Sequence, residues 1–204
     1  MLLIPDRRAL FLHIPKTGGQ TIESLLGCPH RHSHHSVRGL PHDWQQWFRF
    51  TFVRHPVDRF VSACNYYVDM AVRHERGYRR LSDPSPMVAF RLWLIDRKPL
   101  LPAVVEKLAE GRRYRAISGF VPQMKRLKAI QPQFVGRFER FGQDVNTLLS
   151  VLRYERRLET DLPHVNRSLK HYGRESLDPS SLRTLAHLYR ADFRRLGYKP
   201  GRIP

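Results

Sequence analysis

The chain has 204 residues, 41% of them hydrophobic and 11% aromatic, which suits one sizeable buried core and excludes a disordered or low-complexity protein. Its formal net charge of +18 would draw nucleic acid, anionic lipid or an acidic glycan. No groove-reading or base-stacking motif accompanies that charge, so no specific nucleic-acid partner is expected.

In chain order, the apolar run over 8–14 predicts a buried strand, and the turn Pro15-Lys16-Thr17-Gly18-Gly19 leads into an amphipathic helix over 19–26. A polar, histidine-rich loop runs to about residue 41, followed by a short helix over 42–48 and a strand over 49–54. Pro56 opens a helix over 56–76, because a first-turn proline loses no hydrogen bond. Its apolar stripe is Val57, Phe60, Val61, Cys64, Val68 and Ala71, with Ser62 off the stripe's centre. Ser82–Pro86 is a loop, helices follow over 87–96 and 102–110, and 77–130 as a whole is weakly patterned. A strand over 133–138 precedes a helix over 142–154, and a final helix over 179–196 starts behind Asp178 as N-cap and Pro179 as first residue. Strands alternating with helices imply an α/β fold: a P-loop-like three-layer sandwich, its central parallel sheet flanked by helices, in a single domain over 1–204.

Two stretches carry chemistry. In the first, a strand feeds a glycine turn and a helix N-terminus, an arrangement that attracts anions through free backbone N–H groups and the helix dipole. Lys16 adds a cation, Thr17 and Thr21 add hydroxyls, and Gly18 and Gly19 let the backbone approach a phosphate. The order differs from the Walker A loop, because Lys16 precedes both glycines. A magnesium-bound triphosphate therefore fits less well than a mononucleotide. In the second stretch, Arg54 at a strand end and Ser62 two turns into the next helix suit a phosphate monoester.

Together the two stretches resemble the sulfotransferases that use 3′-phosphoadenosine 5′-phosphosulfate (PAPS), most closely the carbohydrate branch with the heparan sulfate 2-O-sulfotransferases and their small bacterial relatives. The matching residues are Pro15-Lys16-Thr17-Gly18-Gly19-Gln20-Thr21 and Val53-Arg54-His55-Pro56-Val57-Asp58-Arg59-Phe60-Val61-Ser62. Phe134–Glu139, Tyr189–Phe193 and Leu196–Tyr198 also look familial. The resemblance implies that residues 15–21 bind the 5′-phosphosulfate and that Arg54 and Ser62 bind the 3′-phosphate. It also implies that Arg167 and Ser168 close near that phosphate. Residues 77–130 would then form the acceptor side.

Sulfuryl transfer needs a cation on the bridging oxygen and a base at the acceptor hydroxyl. Lys16 takes the first role, and no metal is required because the leaving group, adenosine 3′,5′-bisphosphate (PAP), already leaves readily. Five of the eleven histidines fall between 30 and 42, and histidine titrates near neutrality. By resemblance to a G-H-V-S-like segment, His35-Ser36-Val37 makes His35 the base, with His34 next in line. A zinc site from Cys28, His30, His32 and His34 competes, but the ligands alternate without a separated second pair. Glu139 is either an acceptor ligand or an arginine's partner, and His13 is a buried, hydrogen-bonded histidine at the turn's base. The acceptor implied is a hydroxylated carbohydrate, an acidic one if the excess cations serve it. Solubility alone would also account for those cations.

A magnesium-dependent nucleotide phosphotransferase and a non-catalytic polyanion-binding protein are the competing classes. No run of about 18 apolar residues offers a transmembrane segment. Pro5 and its charged neighbours come too early for a signal peptide. Two cysteines, Cys28 and Cys64, make no disulfide framework. The expectation is a cytoplasmic, bacterial-type enzyme or a trimmed catalytic domain. Oligomeric state is not legible.

Overall fold

The computed structural model describes residues 1–27, 40–155 and 169–200. Its elements are β1 Leu2–Ile4, β2 Ala9–Leu12, α1 Gly19–Leu25, β3 Phe48–Val53, α2 Pro56–Tyr78, α3 Pro86–Arg97 and α4 Leu101–Glu110. They continue with α5 Arg112–Arg115, α6 Gln123–Ile130, β4 Phe134–Arg137, α7 Phe141–Val151, α8 Pro179–Leu188 and α9 Arg190–Leu196. The chain divides into two compact units, Met1–Arg54 with Gln123–Asn166, and His55–Pro122 with Arg167–Pro204.

The first unit holds a four-stranded sheet in the order β1-β2-β3-β4. β2, β3 and β4 run parallel, as expected, with Phe11 opposite Phe50 and Phe52 opposite Gly136. To the expected parallel sheet the fold adds an edge strand not read from the sequence: β1 pairs antiparallel with β2, Leu2 opposite Phe11 and Ile4 opposite Ala9. The link is a tight turn in which Arg8, at φ +44°, donates its N–H to the Pro5 carbonyl. Three residues before a proline carry no readable period. Pairing with β2 and burial of Leu2 and Ile4 make them a strand.

One sheet face presents Ala9, Phe11, Phe50 and Phe52 to Ile22 and Leu26 at α1 and to Val145, Leu148 and Leu149 of α7. Phe11 and Phe50 stack at 5.1 Å between ring centres. Leu10, Leu12, Thr51 and Val53, on the opposite face, are buried as well, as parallel strands usually are. Gly136 is required by packing, since a side chain there would enter the Phe52 ring.

The second unit is helical. α2 packs on α3 and α4 on α8, around Phe60, Tyr67, Phe90 and Phe120, whose rings meet at 5.3–5.7 Å. The stripe read from sequence on α2 is buried, apart from the half-buried Val68, and burial pushes the Cys64 thiol well up from its ordinary value. Arg59 is fully buried too, and its two terminal nitrogens donate to the carbonyls of Gly119 and Val121 at 2.9 and 2.8 Å. Asn65 accepts from the N–H groups of His171 and Tyr172 and donates to the Tyr172 carbonyl, fixing the approach to α8. The expected single helix over 179–196 is two helices. Tyr189, at φ −105° and ψ 21°, separates them, and its ring is buried near the Arg59 guanidinium, 5.8 Å away. No proline or glycine marks that break, so periodicity runs through it. Residues 112–115 and 123–130, unassigned from sequence, form α5 and α6.

Candidate active site

The turn after β2 is built from the inside. Ile14 is wholly buried, and Thr17, equally buried, donates its hydroxyl to the Ile14 carbonyl at 2.8 Å. Read from sequence, that hydroxyl was a ligand donor; in the fold it holds the turn closed. Lys16 stands between them at φ +70°, a left-handed conformation that costs a non-glycine residue about 1 kcal/mol. Such a conformation persists only where neighbours enforce it, and here they do on both sides. Gly18 follows at φ +82° and forms the N-cap of α1, with no side chain capping the helix. A Cβ on Gly18 would lie 2.6 Å from the Phe141 ring. Gly19 lies so close to the His13 imidazole that no Cβ fits between them.

His13 is buried, as expected, and its Nδ1 meets Glu23 Oε1 at 2.6 Å. Glu23 lies on α1 and is itself almost wholly buried. The pair joins the end of β2 to the helix that follows the turn. Gln20 is exposed and Thr21 buried in the first turn of α1.

Arg54 follows the last residue of β3 and is half-buried. Its guanidinium carbon lies 4.3 Å from the centre of the Phe138 ring, and Nη1 reaches the Lys16 carbonyl at 3.4 Å. Phe138 belongs to the turn between β4 and α7, and Phe138 and Phe141 pack at 5.6 Å. So beyond the carboxyl ends of two neighbouring parallel strands, the Arg54 guanidinium lies over an aromatic wall and reaches the backbone of the Lys16 turn. Ligands in open α/β sheets bind at that end of the strands. Asp144 accepts the Arg137 N–H at 2.6 Å and holds the turn that carries the wall. The wall was not legible as such: Phe138 stood out only as part of the familial segment Phe134–Glu139, and Phe141 carried no signal of its own.

The structure thus joins Lys16, Thr17, Gly18, Gly19 and Arg54 in the sheet unit. Ser62 is half-buried on α2, in the helical unit. His34, His35, Arg167 and Ser168 lie outside the described residues, as do Cys28, His30 and His32 of the alternative zinc site. Among the described residues, no group of three or more His, Cys, Asp and Glu is placed to hold a metal ion. None of the described helices is long and apolar enough to cross a membrane.

At the end of the α/β sheet a glycine turn is backed by packed rings, with a lysine in the turn and an arginine beside it. A model of the sulfotransferase family matches residues 1–199, and the chain belongs to that family. No curated protein and no solved structure matches it.

Proposed function

We propose that the chain is a PAPS-dependent O-sulfotransferase acting on a hydroxylated, carbohydrate-like acceptor, its single domain spanning 1–204. The observation that carries this reading is the meeting of Arg54 with the Lys16 turn, at 3.4 Å, above the ends of β2 and β3. A donor with phosphate at both ends of its ribose needs two separate anion contacts. The turn at 15–21 takes the 5′-phosphosulfate through backbone N–H groups and Lys16. Arg54, with Ser62, takes the 3′-phosphate, and Arg167 and Ser168 join them by resemblance.

In the reaction, the acceptor oxygen forms a bond to sulfur as the bond from sulfur to the 5′-phosphate oxygen breaks. The proton of the acceptor hydroxyl passes to a base, assigned to His35 with His34 next. PAP leaves with the bonding electrons, and the Lys16 ammonium neutralises the charge that grows on the bridging oxygen. Removal of such a preorganised cation typically costs about 10²–10³ in kcat. No magnesium enters this scheme, in contrast to the phosphotransferase alternative.

Calorimetric titration with PAP in the absence of magnesium, against magnesium-ATP as control, tests the reading. Micromolar PAP binding that falls at least about tenfold in Arg54→Ala is expected. With PAPS and a screened acceptor, Lys16→Ala should lose turnover by about the factor above. A preference for magnesium-ATP returns the phosphotransferase, and indifference to both nucleotides returns the polyanion-binding protein.

A further inference from the structure

Arg54 lies one residue beyond the last rung of β3, where the ladder pairs Val53 with Arg137. Its backbone is nevertheless fully engaged. The Arg54 N–H donates to Gln123 Oε1 at 2.9 Å, and the Gln123 Nε2 donates to the Arg54 carbonyl at 2.8 Å. Gln123 is the first residue of α6, sixty-nine positions away in sequence, and is wholly buried. A planar side-chain amide that pairs with both groups of one residue acts as an additional strand rung. Two-point pairing fixes the orientation of that residue's backbone, and therefore the direction of its Cα–Cβ bond. The long side chain beyond retains several rotatable bonds, and these are restrained by the Phe138 face at 4.3 Å and the Lys16 carbonyl at 3.4 Å.

From this geometry we infer that Gln123 is a positioning residue for the anion site: it aims the Arg54 guanidinium at the 3′-phosphate of the nucleotide and so sets the enzyme's selectivity for a bisphosphorylated donor. The inference rests on the proposed reading of Arg54. Gln123 touches no ligand itself in this scheme. Fixing Arg54 before binding lowers the ordering cost of the contact, which is how a remote amide changes affinity without a new ligand bond. A bulky apolar residue in its place would leave the strand end unpaired and let the arginine's base swing.

The test is a selectivity ratio, measured by calorimetry on the full chain with adenosine 3′,5′-bisphosphate and adenosine 5′-monophosphate. The two ligands differ only in the 3′-phosphate. Gln123→Met, close in volume but without the amide, should lower the ratio about tenfold, while affinity for the monophosphate stays within about twofold. In an Arg54→Ala background, Gln123→Met should lower the ratio no further, because the two residues act through one contact. A purely structural role would weaken both ligands together and leave the ratio unmoved. That result, or a wild-type ratio in Gln123→Met, overturns the inference and leaves the sulfotransferase reading standing. A wild-type chain indifferent to the 3′-phosphate overturns the reading of Arg54 and the inference with it. Should Gln123→Met fail to fold, Gln123→Asn serves: its amide is one methylene too short to reach both groups, so an unchanged ratio there overturns the inference as well.

Discussion

Arg54 and Arg59 stand five residues apart in one motif, and the fold uses them in opposite ways. Arg54, in the sheet unit, is half-buried, with its guanidinium over a ring and against a turn carbonyl. Arg59, in the helical unit, is sealed from solvent, with its terminal nitrogens on two carbonyls of the segment before Pro122. The first cation is held partly exposed, just beyond the end of β3. The second replaces backbone partners in a loop that has no strand or helix to pair with. A buried charge is tolerated only when paired, and Arg59 satisfies two backbone acceptors at once. The lesson is that a motif's cations are not equally ligand-directed, and burial separates them.

The sharpest way to break this contrast is Arg59→Met. It leaves the carbonyls of Gly119 and Val121 without donors, and the expected loss of stability is about 3 kcal/mol by urea denaturation. PAP affinity of the folded chain should change by less than about twofold. A fall in affinity as large as that expected for Arg54→Ala would place Arg59 in the binding machinery and end the distinction.

Gly19→Ala probes the sheet unit from within. The added methyl must displace His13, which is held by Glu23. Overpacking of this kind costs about 1–3 kcal/mol, visible as a melting temperature lower by several degrees. Removing the obstructing ring in Gly19→Ala/His13→Ala should recover less than the full loss, because Glu23 is then left buried without its partner. Complete recovery would mean that the His13–Glu23 pair contributes nothing.

The smallest effect is expected at the N-cap of α8. Asp178 accepts the Ser181 N–H at 2.6 Å, and this bond holds its carboxyl below the ordinary value near 3.8. A depressed carboxylate stabilises the fold at every pH above its unfolded value. That contribution starts to fade as the pH falls to about 3.8 and is gone once the lower, folded value is passed. Acid unfolding followed by circular dichroism should therefore show a slightly shallower slope below pH 4 in Asp178→Asn than in wild type. Equal slopes would show that the cap does not discriminate between the charged and neutral forms.

Much of the structure around the candidate site was legible because local chemistry dictates it. Lys16 ahead of paired glycines, Pro56 at a helix start and the apolar stripe of α2 are each properties of a few adjacent residues, and the fold realises them. Thr17 shows the limit. Its hydroxyl has the right chemistry for a ligand, but the tight turn brings the Ile14 carbonyl within 2.8 Å, and the nearer acceptor takes it. The break at Tyr189 shows another, since periodicity is blind to a helix interrupted by packing rather than by proline or glycine.

The α/β class and the order of strands and helices around both motifs were legible from the residues alone, as was the placing of Lys16 and Arg54 beyond the ends of their strands. Those follow from hydrophobic period, turn chemistry and charge, all of which act over a few residues. Only the tertiary structure decided that β1 is an antiparallel edge, that Arg59 is sealed inside, that Phe138 and Phe141 back the turn, and that Gln123 holds the Arg54 backbone. Apart from the edge strand, which pairs with its near neighbour in sequence, each of these depends on groups far apart along the chain, brought within reach of one another only when the core closes.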